Sequence, residues 1–391
     1  MALVGTVVAL GMMLMALVAL PVISPSAGAA VADGLRAVLG PQPVAELESL
    51  SFKIQDVWNR ARYQWSGGQP QVAWENPEPQ PEPMPTPTPV APDLSNTRDM
   101  PVAAGSTRRA LERGVVDAPP AIPGGWQTFG PPASGGPVMA RGIVQPDPGR
   151  PYAQASLVRI DLSRTQLSVV PGTDEPVAAK GVPKFSRPGT IPTGEQTSGN
   201  LLAAFNGGFK AVHGGYGMMA NGVTILPPLD NIATLAMYRD GTMRLGAWGR
   251  DITLTVDLVA YRQNCPLLVD AGAINATVND GSRKEWGYTV KNLDTTWRSG
   301  VGISRDGRFL IYAVGPSLTV ESLARALQQG GAYNAMQLDI NGFYTRFVTY
   351  RPADPKSRYP VTADKLLNAM SASSAQFLTP YDRDFFYLTA R

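Results

Sequence analysis

The sequence predicts an α+β fold, a mixed and largely antiparallel β-sheet system with a few packed helices, in the part of the chain from about residue 125 onward. Three observations predict it. Short apolar runs with strand-like alternation fill residues 125–391, and several are joined by Asn-Gly or Asp-Gly, the strongest short-range hairpin signals. Only two stretches there have helical spacing. No repeat of fixed period runs through the chain.

Taken in order, Ala155–Leu162 and Gln166–Val170 read as a hairpin. Leu201–Phe205 is an apolar strand that stops at Asn206-Gly207-Gly208-Phe209. Met218–Leu226 folds back at Asn221-Gly222, and Ile232–Tyr238 and Met243–Trp248 flank Asp240-Gly241. Val256–Arg262 is read as a helix. Pro266–Val269 is a short strand ending in Asp270-Ala271-Gly272. Gly300–Ser304 and Arg308–Val314 flank Asp306-Gly307. The second helix, Val320–Gln329, places Val320, Leu323, Ala324 and Leu327 on one face, with Thr319 as N-cap and Gly330-Gly331 as its stop. A strand through Ala335, Met336 and Leu338 then ends in Asp339, turns at Asn341-Gly342 and leaves as Phe343–Tyr350. The aromatic tail (Tyr381, Phe385, Phe386, Tyr387) is expected to dock on the body.

Ahead of this domain the chain has three characters. Residues 1–32 carry no charged side chain, and Ala2–Ile23 is long enough to cross a bilayer. A retained membrane anchor fits the length. A cleaved signal ending near Ser26–Ala30 is the other reading, and either exports the body. Residues 33–66 contain an amphipathic helix at 44–64, with Leu47, Leu50, Ile54, Val57 and Ala61 three and four apart. That face packs on the main domain, lies on a membrane surface or forms a short coil. Residues 67–124 are Pro-rich, a stalk that about 50 residues in extended form would stretch to roughly 150 Å.

Composition narrows the function. The 391 residues are 44% hydrophobic and 17% charged, with a formal net charge of +3. So weak a basic excess, without a block of like charge, gives no case for nucleic acid. One cysteine, Cys265, and one histidine, His213, leave no disulfide within the chain and no Cys/His zinc site. No cofactor or metal is expected, and no phosphate-binding P-loop, HExxH or GxSxG is present.

The chemistry-bearing residues sit at strand ends beside glycine. Asn206 precedes Gly207 and Gly208, Asp270 precedes Ala271-Gly272, and Asp339 precedes Asn341-Gly342. Arg298 enters the glycine-spaced strand Ser299-Gly300-Val301-Gly302. Glycine permits close backbone approach and leaves room for a ligand. Arginine suits a phosphate, asparagine suits hydroxyls or acetamide, and a carboxylate suits a developing oxocarbenium ion or an attacking water. Each also has a plain structural reading as a turn residue or surface ion-pair partner. His213, in a glycine-rich loop, either lines the site or is an ordinary loop residue. Cys265 reads as buried and inert.

In this order the segments Phe205–Phe209, Arg298–Ile303 followed by Asp306-Gly307, the Leu318–Leu327 helix and Met336–Asp339 resemble the phosphodiester glycosidase family, over roughly residues 150–350. The resemblance implies an exported bacterial hydrolase that cleaves the glycosidic C–O bond of a sugar-1-phosphodiester in surface or extracellular polysaccharide metabolism. It implies Asp339 and Arg298 as catalytic residues, and the strand-end reading adds Asp270. Arg298 takes the phosphate, Asp339 stabilises the cationic sugar or activates water, and Asp270 is the second carboxylate. Asn206, Gly207, Gly208, Gly302, Asn341 and His213 are the substrate-side candidates. The family's Leu-Asp-Gly-Gly-Gly-Ser segment departs here to Leu338-Asp339-Ile340-Asn341-Gly342-Phe343. Bulkier Ile340 and Phe343 are expected to narrow the pocket, so a catalytically silent exported module that binds anionic glycans or wall polymers is the rival reading.

Overall fold

The computed structural model of the protein describes residues 34, 35, 38, 40–68, 120–280, 285–287 and 294–391. The expected anchor (1–32) and nearly all of the Pro-rich stretch lie outside them. No helix among the described residues is long and apolar enough to cross a membrane.

Three sheets carry the fold. The largest has eight strands. Across it run β1 (Gln127–Thr128), β2 (Met139–Val144), β3 (Ala155–Asp161), β14 (Phe309–Leu318), β13 (Thr296–Ile303), β15 (Asn334–Gln337), β11 (Leu267–Asp270) and β12 (Ala273–Ile274). A five-stranded sheet runs β7 (Val223–Leu226), β6 (Met218–Ala220), β10 (Leu258–Gln263), β8 (Ala233–Tyr238) and β9 (Met243–Ala247). A second five-stranded sheet runs β17 (Val361–Lys365), β16 (Phe347–Pro352), β5 (Leu201–Asn206), β18 (Phe385–Ala390) and β4 (Thr165–Val170). Every strand-to-strand pairing in the three sheets is antiparallel.

Alternation divides the core. On the eight-stranded sheet Val158, Ile160, Val301, Tyr312, Met336 and Leu338 face the two smaller sheets in one cluster. Ala155, Leu157, Ile311, Ala313 and Ala335 face the opposite way, onto helix Val320–Gln329. At the centre Phe205 stacks on Phe347 with ring centroids 5.8 Å apart and on Phe386 at 5.1 Å. The helix starts as its sequence demands. Thr319 Oγ1 accepts from the Ser322 amide at 3.1 Å, and Ser322 Oγ accepts from the Thr319 amide at 2.8 Å.

The three predicted hairpins at Asn221-Gly222, Asp240-Gly241 and Asp306-Gly307 form. Asn221 and Gly222 both have positive φ, 50° and 76°, the conformation that Asn-Gly tolerates.

Other expectations are corrected. Ala155–Leu162 and Gln166–Val170 are not a hairpin. β3 pairs with β2 and β14, whereas β4 pairs with β18 in another sheet. Residues 256–262 are not a helix, because Leu258–Gln263 is a strand held between β6 and β8. Its two-sided burial gives a near-continuous apolar run that period alone cannot separate from a helix. Asn341-Gly342 is not a hairpin turn, and Phe343–Thr345 is not strand. β15 and β16 belong to different sheets, and the segment between them is a crossing.

The amphipathic helix exists, as Pro41–Trp65. Its polar side faces the body. Ser49 Oγ donates to Asp294 at 3.1 Å, Asn59 Nδ2 donates to Ser317 Oγ at 3.3 Å, and Asp56 is ion-paired with Arg150 at 3.1 Å. The expected apolar face turns outward, with Leu50, Ile54 and Val57 exposed.

Replacing Thr319 by Ala removes the reciprocal cap. Urea denaturation is expected to show a loss of about 1 kcal/mol with an unchanged far-UV spectrum.

Candidate active site

The sheets meet at the ends of β5, β13, β15 and the start of β18, and a buried polar network joins them. Asn206, the last residue of β5, uses its whole amide. Its Nδ2 donates to Ser299 Oγ at 3.0 Å and to Gly207 O at 3.1 Å. Its Oδ1 accepts from Tyr312 Oη at 2.9 Å and the Arg346 amide at 3.1 Å. Two donors and two lone pairs are all the side chain has. Asn206 therefore clamps the eight-stranded sheet to β5 and β16, and keeps nothing for a ligand.

Asp339 follows β15 by two residues and is 6% exposed. Its amide donates to Gly207 O at 3.1 Å. Its carbonyl accepts from Ser299 Oγ at 2.8 Å. Oδ1 accepts from the Asn341 amide at 2.9 Å and Oδ2 from Arg383 Nη2 at 2.6 Å. The carboxylate is thus aimed from both ends. The Arg383 guanidinium also donates to Gly208 O at 2.9 Å and lies 4.4 Å from the centre of the Tyr344 ring. Burial works against the Arg383 cation, but the carboxylates of Asp339 and Asp384 outweigh it and keep it charged.

Arg383 and Asp384 are neighbours just ahead of β18, and both side chains bond Gly208, Arg383 at its carbonyl and Asp384 at its amide. Asp384 reaches Arg262 of β10, with Nε to Oδ2 at 2.8 Å and Nη2 to Oδ1 at 3.2 Å, both side chains fully buried. Arg262 spends its other donors on the carbonyls of Phe209, Tyr216 and Gln263. The Gly208 amide donates to Asp384 Oδ2 at 3.1 Å. A Cβ at Gly207 would collide with Asp384, and one at Gly208 would lie 2.9 Å from Arg262 Cζ. These glycines admit the ion pair rather than a ligand.

The remaining sequence candidates fall elsewhere. Arg298 faces away toward the helix layer. It donates to Leu318 O at 2.9 Å, Gln337 Oε1 at 2.9 Å and Asp294 O at 3.4 Å. Burial pushes its pKa down to about 10 against the pull of Asp294, so it stays charged at neutral pH. The phosphate role expected of it is corrected, because all three of its nitrogens are committed inside the protein. Asp270 is also corrected. It stands where β11 turns into β12, across from Asn334 at the start of β15, whereas Asp339 lies past the strand's other end. There it forms a forked pair with Arg250 at 2.7 and 2.8 Å. Gly302 lies along β13 where a Cβ would strike Ala332, so it serves packing. Asn341 Oδ1 accepts from the Phe343 amide at 2.9 Å and shapes the crossing loop. His213 ends a short 3-10 turn and is half-buried. Cys265 is buried, and burial pushes its thiol up to about 12, so it is inert as expected.

Ile340 turns toward Phe209 and Gly287. A Cβ on Gly287 would lie 2.9 Å from its Cδ1, and Phe343 packs edge-on to Tyr344 with ring centroids 5.1 Å apart. Neither side chain separates Asp339 from Arg383. The residues that sequence reasoning missed are Arg262, Arg346, Arg383 and Asp384. Only the charged pair at 383–384, just ahead of an aromatic strand, hinted at them.

Replacing Asp384 by Asn leaves Arg262 buried without its counter-charge. Denaturation is expected to show a loss of about 3–5 kcal/mol.

The family model for phosphodiester glycosidases matches residues 199–360. Three solved structures are similar at low identity. The catalytic domain of zebrafish N-acetylglucosamine-1-phosphodiester alpha-N-acetylglucosaminidase, auto-inhibited by its pro-peptide, is 14% identical with a TM-score of 0.41, over 68% of this chain and 88% of that one. A hypothetical protein from Synechocystis is 13% identical with a TM-score of 0.29, over 68% of this chain and 62% of that one. A protein from Burkholderia pseudomallei K96243 is 11% identical with a TM-score of 0.34, over 60% of this chain and 74% of that one. No curated protein matches significantly.

Proposed function

Because residues 199–360 of this chain belong to the phosphodiester glycosidase family, we propose that the protein hydrolyses a sugar-1-phosphodiester at the anomeric C–O bond, with Asp339 as the reacting carboxylate. The observation that carries the reading is the setting of Asp339. It is fixed on a sheet crossing inside the family-matched segment and held by one guanidinium and one backbone amide. Water adds at the anomeric carbon, the C–O bond to phosphate breaks, and free sugar and a phosphate monoester leave. Asp339 stabilises the cationic sugar or takes the proton of the water.

The neighbouring carboxylate, Asp384, is committed to Arg262. That leaves Asp339 as the carboxylate assigned to the reaction, and a single carboxylate suits this chemistry. Phosphate is a weak base and departs without strong help from a general acid, which a sugar alkoxide would need. An extracytoplasmic location and a polysaccharide substrate are part of the proposal. The charge-free residues 1–32 support the first, and the family match supports a sugar phosphodiester as the substrate class.

One observation favours the rival reading of a glycan-binding module. Both carboxylate oxygens of Asp339 are engaged and the side chain is buried. Incubation with a panel of sugar-1-phosphodiesters separates the two: product supports the hydrolase, and binding without product supports the module. Asp339→Asn keeps the shape and one acceptor for Arg383. It is expected to cut turnover by about 10²–10⁴-fold with an unchanged near-UV spectrum. Turnover near that of the parent chain would remove Asp339 from the reaction.

A further inference from the structure

The crossing loop that carries Asp339 re-enters the sheet at Arg346, which is 5% exposed. Its Nη1 donates to Gln376 Oε1 at 2.6 Å and its Nη2 to the carbonyl of Phe343. Both acceptors are neutral. Its Nε is buried and has no acceptor at all. Arg383 Nε is likewise buried and without an acceptor, as is Tyr381 Oη. The Arg346 Cζ lies 5.1 Å from the centre of the Tyr381 ring. Burial pushes the Tyr381 phenol well up although both guanidinia pull it down, so it keeps its proton and remains a donor.

Buried polar atoms without partners are rare, and each one calls for an explanation. Here three donors stand together beside the residue assigned to catalysis. The Tyr381 phenol lies in the field of two guanidinia, Arg346 and Arg383, and two carboxylates, Asp382 and Asp339. Burial alone does not favour such a grouping. An anion with several acceptor oxygens would satisfy the three open donors.

We propose that Arg346 Nε, Arg383 Nε and Tyr381 Oη form the subsite for the phosphoryl group of the substrate, next to Asp339. The inference rests on the phosphodiester reading above and deepens it. A phosphodiester carries one negative charge and two non-bridging oxygens. Its oxygens can accept from all three donors. The subsite draws on residues beyond the family-matched segment, since Tyr381 and Arg383 lie after residue 360. Phe343 and Tyr344 cover it, with ring centres 5.2 Å from Arg346 Cζ and 4.4 Å from Arg383 Cζ. Both rings are half-exposed, and an entering phosphate must shift them.

The test is calorimetric titration of the full chain with inorganic phosphate, glucose 1-phosphate and glucose, on the parent protein and on Tyr381→Phe and Arg346→Lys. Tyr381→Phe removes a hydroxyl that has no partner, so the fold has nothing to lose by it. Phosphate and glucose 1-phosphate are expected to bind the parent chain and glucose is not. Tyr381→Phe is expected to weaken both anions by about threefold to tenfold with no fall in the melting temperature. Arg346→Lys, which keeps the charge but loses Nε, is expected to weaken them by roughly tenfold or more. Absence of phosphate binding by the parent chain, or equal affinities across the three proteins, would overturn the subsite. These readings need no turnover. A chain that binds phosphate as described but cleaves no diester retains the subsite and loses the hydrolase assignment. A chain that cleaves a diester but shows no phosphate dependence on these residues does the reverse.

Discussion

A charge taken out of water must find an opposite charge or a set of dipoles, and that requirement organises the meeting point of the sheets. Asp384 and Arg262 meet with no solvent around either, and Asp339 and Arg383 meet almost as deeply. Both pairs reach across long stretches of chain, so each links parts of the fold that share no strand pairing of their own. Arg383 ties the start of β18 to the end of β15, and Asp384 ties it to β10. The glycines after Asn206 have no side chains because the Asp384–Arg262 pair occupies the space that side chains would take. Asn206 completes the arrangement by binding β13, β14 and the residue that leads into β16 with one amide. Position, more than any single contact, is what this network supplies to Asp339.

Legibility in the sequence followed the range of the interaction. Hairpins at Asn221-Gly222, Asp240-Gly241 and Asp306-Gly307 are decided by four or so residues, and they were readable. The helix at Val320–Gln329 announced itself by an apolar stripe and a capping threonine. The partner of β3 was not readable, because β2 and β14 come from opposite directions along the chain and nothing in Ala155–Leu162 names them. β10 misled because a strand buried on both faces loses its alternation.

The site divides the same way. Asn206 and Asp339 stand out as polar residues ending apolar strands beside glycine, and the structure brings them into one network. Arg298 and Asp270 share that local look, yet one faces the helix layer and the other a surface arginine. A strand end does not reveal which layer its side chain will enter. Arg383 was invisible for the opposite reason. Its partners lie 44 and 175 positions away, and its own surroundings read only as the approach to an aromatic strand. The departure from the family's glycine-rich segment is likewise milder in space than in sequence. Ile340 joins an apolar cluster behind the loop, and Phe343 lies against Tyr344 and Arg346 rather than between Asp339 and Arg383.

The helix Pro41–Trp65 is fastened to the body at more than one point. It is hydrogen-bonded to the body at Ser49 and Asn59, and the chain rejoins the same body at Pro120, whose carbonyl accepts from Trp126 Nε1 at 3.0 Å. Both feet of the intervening stretch therefore rest on one object. The helix and the body are held to each other by side-chain hydrogen bonds and the Asp56–Arg150 ion pair as well as by the chain itself.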